Sequence, residues 1–366
     1  MASPDLGVYV HFPWCRVRCP YCDIAVAVAP LDQIPHDAYA DAILAELDRR
    51  APDHTGSRLR SIYFGGGTPG LWRPDALGRV IAAVRARLGD PEEITVEINP
   101  NDAPALDALL AAGVNRLSIG TQSFRDDDLV FLGRDHSAAA SLSAARAARA
   151  AGFPVVSLDL IYALPGRTVS DWQRTLDAAI ALAPEHLSVY QLTIEERTPF
   201  GAAARQGKLI PADDDTSADQ FEAAHARLGE AGYEHYEVSS YARPGFRAVH
   251  NSLYWQGADY LGLGTGAHSF RRTLEGAVRR ENPRAVSRYL AGDPARETHQ
   301  DAAAVRGDEV WLALRTRDGL PEARLAPSPG LDRLVAAGLL ERAGGRLRPT
   351  PRGLLFADEI GAVLLE

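Results

Sequence analysis

Cysteine is nearly missing from this chain. Three stand in 366 residues, at Cys15, Cys19 and Cys22, and none follows. Such a count excludes a disulfide framework. Long apolar runs are absent too: none approaches the roughly 20 residues that a membrane-spanning helix needs. An excess of basic charge is also missing. Lys and Arg number 39 against 48 Asp and Glu, a formal charge of −9, which argues against nucleic acid as the main partner. The start of the chain lacks the basic and apolar regions of a secretory signal. The expected home is therefore a reducing cytoplasm, where thiolates stay available to metal. One Met and few Lys beside abundant Ala and Arg look like base bias and carry no functional information.

A hydrophobic share of 46% and a charged share of 24% suit a globular protein with one large core and a small second domain. Short apolar runs alternate with Ala-rich amphipathic stretches up to about Tyr241. Strands are expected at Val8–Phe12, Ser61–Phe64, Ile94–Ile98, Arg116–Ile119, Val155–Leu160, Leu187–Leu192 and near Tyr236–Ser240. Helices are expected at Tyr39–Arg50, Pro74–Leu88, Ala103–Ala112, Ala138–Ala151, Val169–Leu182 and Ser217–Ala231, several of them ending at Gly. Such alternation predicts an α/β fold with a parallel sheet, and six successive units favour a partial (β/α)6 TIM-like barrel over a Rossmann sheet. Residues 1–241 would form this core and 242–300 a connecting segment rich in Gly, aromatics and His. Residues 301–366 would form a small C-terminal winged-helix-like domain, entered through a charged linker near Arg296 to Arg306.

In a barrel of this kind chemistry gathers at the carboxyl ends of the strands. The cysteines follow the first strand, Gly65-Gly66-Gly67-Thr68-Pro69 the second, and Glu97-Ile98-Asn99-Pro100 the third. Gln122, Asp159 and the stretch from Thr193 to Glu196 occupy the ends of strands four, five and six. Six loops thus send polar groups toward one mouth. Taken singly, Glu97 or Asp159 could equally be a solvated strand-end carboxylate. A Cys-x3-Cys-x2-Cys triplet is a ligand set for a soft inorganic centre. Two centres suit it. One is zinc, with His11 completing His-x3-Cys-x3-Cys-x2-Cys; the other is an iron–sulfur cluster with three protein ligands, which also accounts for the glycine-rich loop facing the thiols.

The triplet, with Tyr21 before its last cysteine and GGGTP after strand two, resembles the radical S-adenosylmethionine superfamily. The resemblance implies a [4Fe–4S] cluster on Cys15, Cys19 and Cys22, with the methionine part of S-adenosylmethionine on the fourth iron and a 5′-deoxyadenosyl radical after reductive cleavage. Glycines at 65–67 would let the backbone approach that cofactor closely. Tyr9-Val10-His11-Phe12-Pro13, the run from Asn115 to Phe124 and the run from Asp159 to Gly166 resemble the oxygen-independent coproporphyrinogen III oxidase group. By position, Tyr9, Gly66 and Glu97 would contact the cluster-bound cofactor. Gly67, Thr68, Gln122, Arg134, Asp159 and Thr193 would surround a second cofactor pocket, Tyr21 would flank the cluster, and His268 would border the cavity.

Two departures separate the chain from that oxidase. Asp23 and Ile24 follow Cys22 where the enzyme carries a further cysteine, and only eight residues precede Tyr9. Both look like the paralogous HemW-type haem chaperones, and His250-Asn251-x-x-Tyr254-Trp255 matches the HNxxYW motif of that group. There His250 would be an axial ligand of haem b, with Asn251, Tyr254 and Trp255 beside the porphyrin. A buried histidine among core aromatics is the plain alternative. The resemblance implies a chaperone delivering haem to haem-requiring apoproteins, with an electron donor protein and a homodimer as partners. The alternative is an enzyme that decarboxylates coproporphyrinogen III. The apolar run Ile24-Ala25-Val26-Ala27-Val28-Ala29-Pro30 has no place in either expectation.

Overall fold

The computed structural model describes residues 3–102, 105–325 and 327–365. Among these a twelve-stranded sheet is built from β1 (Asp5–Phe12), β2 (Arg58–Gly66), β3 (Glu93–Ile98), β4 (Arg116–Gln122), β5 (Val155–Tyr162), β6 (His186–Gln191), β7 (Glu234–Glu237), β8 (Ser240–Ala242), β9 (Asp259–Leu263), β10 (His268–Arg272), β11 (Gly276–Glu281) and β12 (Arg296–Asp301). Its spatial order is β12-β11-β10-β9-β1-β2-β3-β4-β5-β6-β8-β7. From β1 to β6 the strands are parallel and pair in sequence order. Within this run the strand order does not reverse, so β1 to β6 hold no switch point of the Rossmann kind. Helices cross between successive strands, including His36–Arg50, Pro74–Leu88, Ala138–Ala151 and Val169–Ala181.

Two-residue periodicity divides each strand. Leu6, Val8, Val10 and Phe12 of β1 are fully buried against the helices, while Gly7, Tyr9 and His11 alternate onto the other face. On that face Tyr63 of β2 and Tyr190 of β6 line one cavity. On a flat sheet strands four places apart lie about 19 Å from one another. The sheet must therefore curve, as a partial (β/α)6 barrel does.

Residues 242–300 supply β9 to β12 of the same sheet, β9 running parallel to β1 and the others antiparallel in succession. The expected linker near Arg296 is in fact β12 followed by the helix Ala302–Ala313. Its charge reflects position: β12 is the sheet edge and mostly exposed, and charged side chains keep an edge from recruiting foreign strands. The expected Ala103–Ala112 helix is described as Leu106–Ala111; Ala103 and Pro104 lie outside the described residues. At the C-terminal end a hairpin of Leu340–Ala343 and Arg346–Pro349 turns at Gly344 and Gly345, both at positive φ. A separate small core of Val310, Leu314, Leu331, Leu347 and Ile360 packs beneath it. The final helix is broken into Pro351–Leu355 and Ala357–Leu365.

One buried carboxyl group ties the helix His36–Arg50 to the turn after β9. Glu46 accepts from the Gly264 amide (3.0 Å), Asn282 Nδ2 (2.8 Å) and the Tyr289 hydroxyl (2.8 Å). Glu46→Ala leaves the Gly264 amide and the Tyr289 hydroxyl without this acceptor and Asn282 Nδ2 with only the Gly264 carbonyl, and is expected to destabilise the chain by about 3 kcal/mol or more. Chemical denaturation measures this, and an unchanged midpoint would refute it.

Candidate metal and cofactor site

The cysteine loop is positioned by the pairing of β1 with β2. The register sets His11 opposite Gly65 and Phe12 opposite Gly66. Beyond the strands the Gly67 amide donates to the Phe12 carbonyl (2.7 Å) and the Thr68 amide to the Trp14 carbonyl (2.8 Å). Gly66 has φ +108°, and a Cβ there would lie 2.5 Å from the His11 ring; at Gly67 it would lie 2.7 Å from the Trp14 carbonyl. The glycines are thus required first by the chain's own first strand, a reason the sequence did not reveal. On its far side the loop rests on the segment after β4, where a Cβ at Gly133 would meet Pro20 at 2.6 Å. Tyr21 packs with Phe131 and Phe200.

Cys15, Cys19 and Cys22 all line a cavity of about 340 Å³, together with Tyr21, Gly66, Gly67, Thr68, Glu97, Gln122, Arg134 and Asp159. Thr68 Oγ1 donates toward Cys15 Sγ (3.7 Å), and Arg134 Nη1 toward Cys19 Sγ (3.4 Å). Arg134 also donates to Asn99 and to the Gly120 carbonyl, and Asn99 Nδ2 donates to Thr68. Opposite the thiols, Glu97 accepts from the Tyr63 hydroxyl (2.7 Å) and the Gly66 amide (3.2 Å). Asp159 accepts from Ser118 at 3.0 and 3.1 Å. Burial pushes the Glu97 carboxyl up to about 7, and Asp159 adds repulsion; burial likewise pushes Asp159 up to about 6. Gln122 holds φ +64° at the end of β4, a strained backbone for a residue with a side chain. Asn99, part of the expected run after strand three, lines this cavity too, as do Tyr63 and Tyr190, which were not singled out in the sequence. Two-residue alternation from Gly65 would have found Tyr63.

Several expected site residues lie elsewhere. Thr193 is exposed and is not among the residues lining this cavity; the chain has already left β6 for the helix Pro199–Arg205. Tyr9 and His268 line a neighbouring cleft. His250 lies toward the other end of the barrel. It is buried at 2% exposure on the helix Val249–Trp255, its Nδ1 2.8 Å from Ser61 Oγ and its Nε2 2.9 Å from the Tyr254 hydroxyl. Its ring stacks on Tyr63 at 5.0 Å, and the amides of Val249 and His250 donate to Glu93. The helix therefore plugs the amino end of the barrel. Both nitrogens of the His250 ring are therefore engaged by the chain itself in this structure. Asn251 is half-buried on the same helix, while Trp255 lines a third cavity against the C-terminal segment.

The model of the Radical SAM superfamily matches residues 9–179. A protein of Mycobacterium tuberculosis named heme chaperone HemW is 38% identical over 378 residues, covering 100% of this chain and 96% of its own. The HemW proteins of Escherichia coli and Bacillus subtilis are 37% and 32% identical, each covering 98% of this chain and 97% and 99% of their own. The chain belongs to the HemW family of radical S-adenosylmethionine proteins. In fold it is similar to the coproporphyrinogen III oxidase HemN of Escherichia coli, with a TM-score of 0.79 and 24% identity over 100% of this chain and 91% of that one.

Membership in this superfamily implies a [4Fe–4S] cluster and S-adenosylmethionine, and the donor set fits both. Cys15, Cys19 and Cys22 line one cavity, as a cluster with three protein ligands requires. His11, the fourth ligand of the zinc alternative, is engaged elsewhere, its Nδ1 3.1 Å from the Tyr9 hydroxyl and its Nε2 2.9 Å from the Ala25 carbonyl. Burial pushes the Cys15 thiol up to about 11 and raises Cys22 as well, so a bound cation must displace their protons. S-adenosylmethionine carries ammonium and sulfonium charges, which the carboxylates of Glu97 and Asp159 can neutralise.

Glu97 also fixes a pH dependence. Its raised pKa means that between the ordinary carboxyl range and about pH 7 the folded chain binds more protons than the unfolded chain. Stability from this group therefore falls as pH rises through that window. Glu97→Gln should raise the unfolding midpoint relative to the parent more at pH 8 than at pH 5. A difference that stays constant across this range would show that the carboxyl is not proton-linked to folding.

Proposed function

We propose that this protein binds haem reversibly and passes it to haem-requiring apoproteins, with an iron–sulfur cluster and S-adenosylmethionine controlling the transfer. The observation that carries this is the end-to-end similarity to proteins named haem chaperones, at 37–38% identity across nearly the whole of both chains. Cys15, Cys19 and Cys22 would hold the [4Fe–4S] cluster. When bound, that cluster supplies one-electron reduction of S-adenosylmethionine. The chain's own residues do the positioning. Gly66 and Glu97 take the charged methionine end, with Tyr63 holding the Glu97 carboxyl. Thr68, Gln122, Arg134 and Asp159 supply polar groups around the remainder, and Arg134 and Thr68 donate hydrogen bonds to the sulfurs, a contact that tunes a cluster's potential.

The electron would come from a separate donor protein, and the expected setting is the cytoplasm. No helix among the described residues is long and apolar enough to cross a membrane. Two copies would associate during transfer.

Decarboxylation of coproporphyrinogen III is the activity to exclude. The anaerobically reconstituted chain, supplied with S-adenosylmethionine, a reductant and coproporphyrinogen III, is expected to yield no protoporphyrinogen. Haem-loaded chain mixed with a haem-requiring apoprotein should transfer the Soret absorbance to the recipient. Turnover of coproporphyrinogen, or haem that never leaves, would overturn the chaperone function.

A further inference from the structure

One face of β2 connects the two ends of the barrel. Ser61, Tyr63 and Gly65 alternate onto that face, and the register sets them beside Gly7, Tyr9 and His11 of β1. Ser61 Oγ lies 2.8 Å from His250 Nδ1, and the Tyr63 ring stacks on the imidazole at 5.0 Å. The Tyr63 hydroxyl donates to Glu97 Oε1 (2.7 Å). A single strand thus touches the histidine helix near its start and the buried carboxyl of the cofactor cavity near its end.

The contacts along this strand are tight. A Cβ at Gly7 would lie 3.2 Å from Leu253 and 3.3 Å from the His250 ring, so the imidazole rests directly on the backbone of β1. A Cβ at Gly65 would lie 2.9 Å from the Tyr63 ring, 3.0 Å from Tyr9 and 3.1 Å from Glu97 Oε1. Tyr9 flanks both rings, 6.2 Å from Tyr63 and 6.3 Å from His250. Glu93, paired with the buried Arg116 (3.4 Å), accepts the first two amides of the histidine helix. The helix is therefore pinned, and a displaced imidazole must turn in place. Close-packed interiors shift between discrete arrangements and do not yield continuously.

Both imidazole nitrogens are already bonded, one to Ser61 and the other to the Tyr254 hydroxyl (2.9 Å). An iron ligated by His250 must take a nitrogen from one of these partners, and the ring then turns against Tyr63. At the far end the Glu97 carboxyl has two donors, the Tyr63 hydroxyl and the more distant Gly66 amide (3.2 Å). Once Tyr63 moves, only the longer bond orients the carboxyl that neutralises charge on S-adenosylmethionine. In reverse, a cation held on Glu97 fixes the carboxyl, hence Tyr63, hence the imidazole in its bonds to the chain.

We propose that Tyr63 is a positioning residue through which iron ligation at His250 and S-adenosylmethionine binding at Glu97 weaken each other. The link rests on the haem-binding function proposed above, with His250 as the iron ligand that the sequence motif implies. Radiolabelled S-adenosylmethionine is titrated by equilibrium dialysis into the anaerobically reconstituted full chain, without reductant, in haem-free and haem-loaded form. Haem loading is expected to weaken cofactor binding by the parent about fivefold or more, the usual scale of coupling between sites. Tyr63→Phe keeps the ring and its stack but loses the hydroxyl, so its two forms should bind the cofactor alike. A purely structural role for Tyr63 would lower the unfolding midpoint, measured alongside, and leave the haem effect intact. A parent that takes up no haem overturns the haem-binding function and this link together. A haem-loaded parent that binds the cofactor as well as the haem-free form, or better, overturns the link alone. So does a Tyr63→Phe variant that keeps the whole difference.

Discussion

The whole site depends on how closely β1 and β2 approach at their carboxyl ends. Strand pairing carries the chain past the last ladder bond into two further contacts, Gly67 to Phe12 and Thr68 to Trp14. Side chains at 66 and 67 would collide with the His11 ring and the first-strand carbonyls. With glycine there, the cysteine loop and the turn after β2 lock face to face. The Gly66 amide is then free to donate to Glu97, and the His11 ring is free to hold Ala25. One steric requirement therefore places the thiols, the buried carboxylate and the segment just past Cys22.

Beneath that contact a polar column runs through the barrel. Ser61, His250 and Tyr254 share one imidazole, Tyr63 stacks on it, and the Tyr63 hydroxyl continues to Glu97 and Gly66. Polar groups in a low-dielectric interior are tolerable only when every partner is present. The histidine helix thus acts as a plug that completes the column, with Glu93 receiving its first amides. Its effect on the cofactor cavity passes through Tyr63, which sets the orientation of the Glu97 carboxyl.

Much of this was legible in the sequence. Short apolar runs gave six parallel strands near their expected places, because fully buried strands need little beyond β-branched and aliphatic residues. The clustered cysteines, Gly66, Thr68, Glu97 and Asp159 were readable because their types and their places after strands coincide, and the structure gathers them round one cavity. Contacts distant in sequence were not readable. Nothing in His250-Asn251-Ser252-Leu253-Tyr254-Trp255 states that Ser61, 189 positions earlier, takes one imidazole nitrogen. A metal-ligand motif and a buried hydrogen-bonded histidine share the same letters. Charge misled at Arg296–Asp301 for a related reason: an exposed edge strand and a linker have similar composition, and only pairing with β11 tells them apart.

The segment just past Cys22 stands between two cavities. Residues 22–26 border the cluster cavity through Cys22, Ile24 and Val26 and the open cleft through Asp23, Ile24 and Ala25. A ligand on either side meets the same backbone. Any ordering that one ligand imposes on this stretch is ordering the other need not supply, and by linkage the effect is equal in both directions. His11 strengthens the tie, since its ring lies over Gly66 and bonds Ala25 at once.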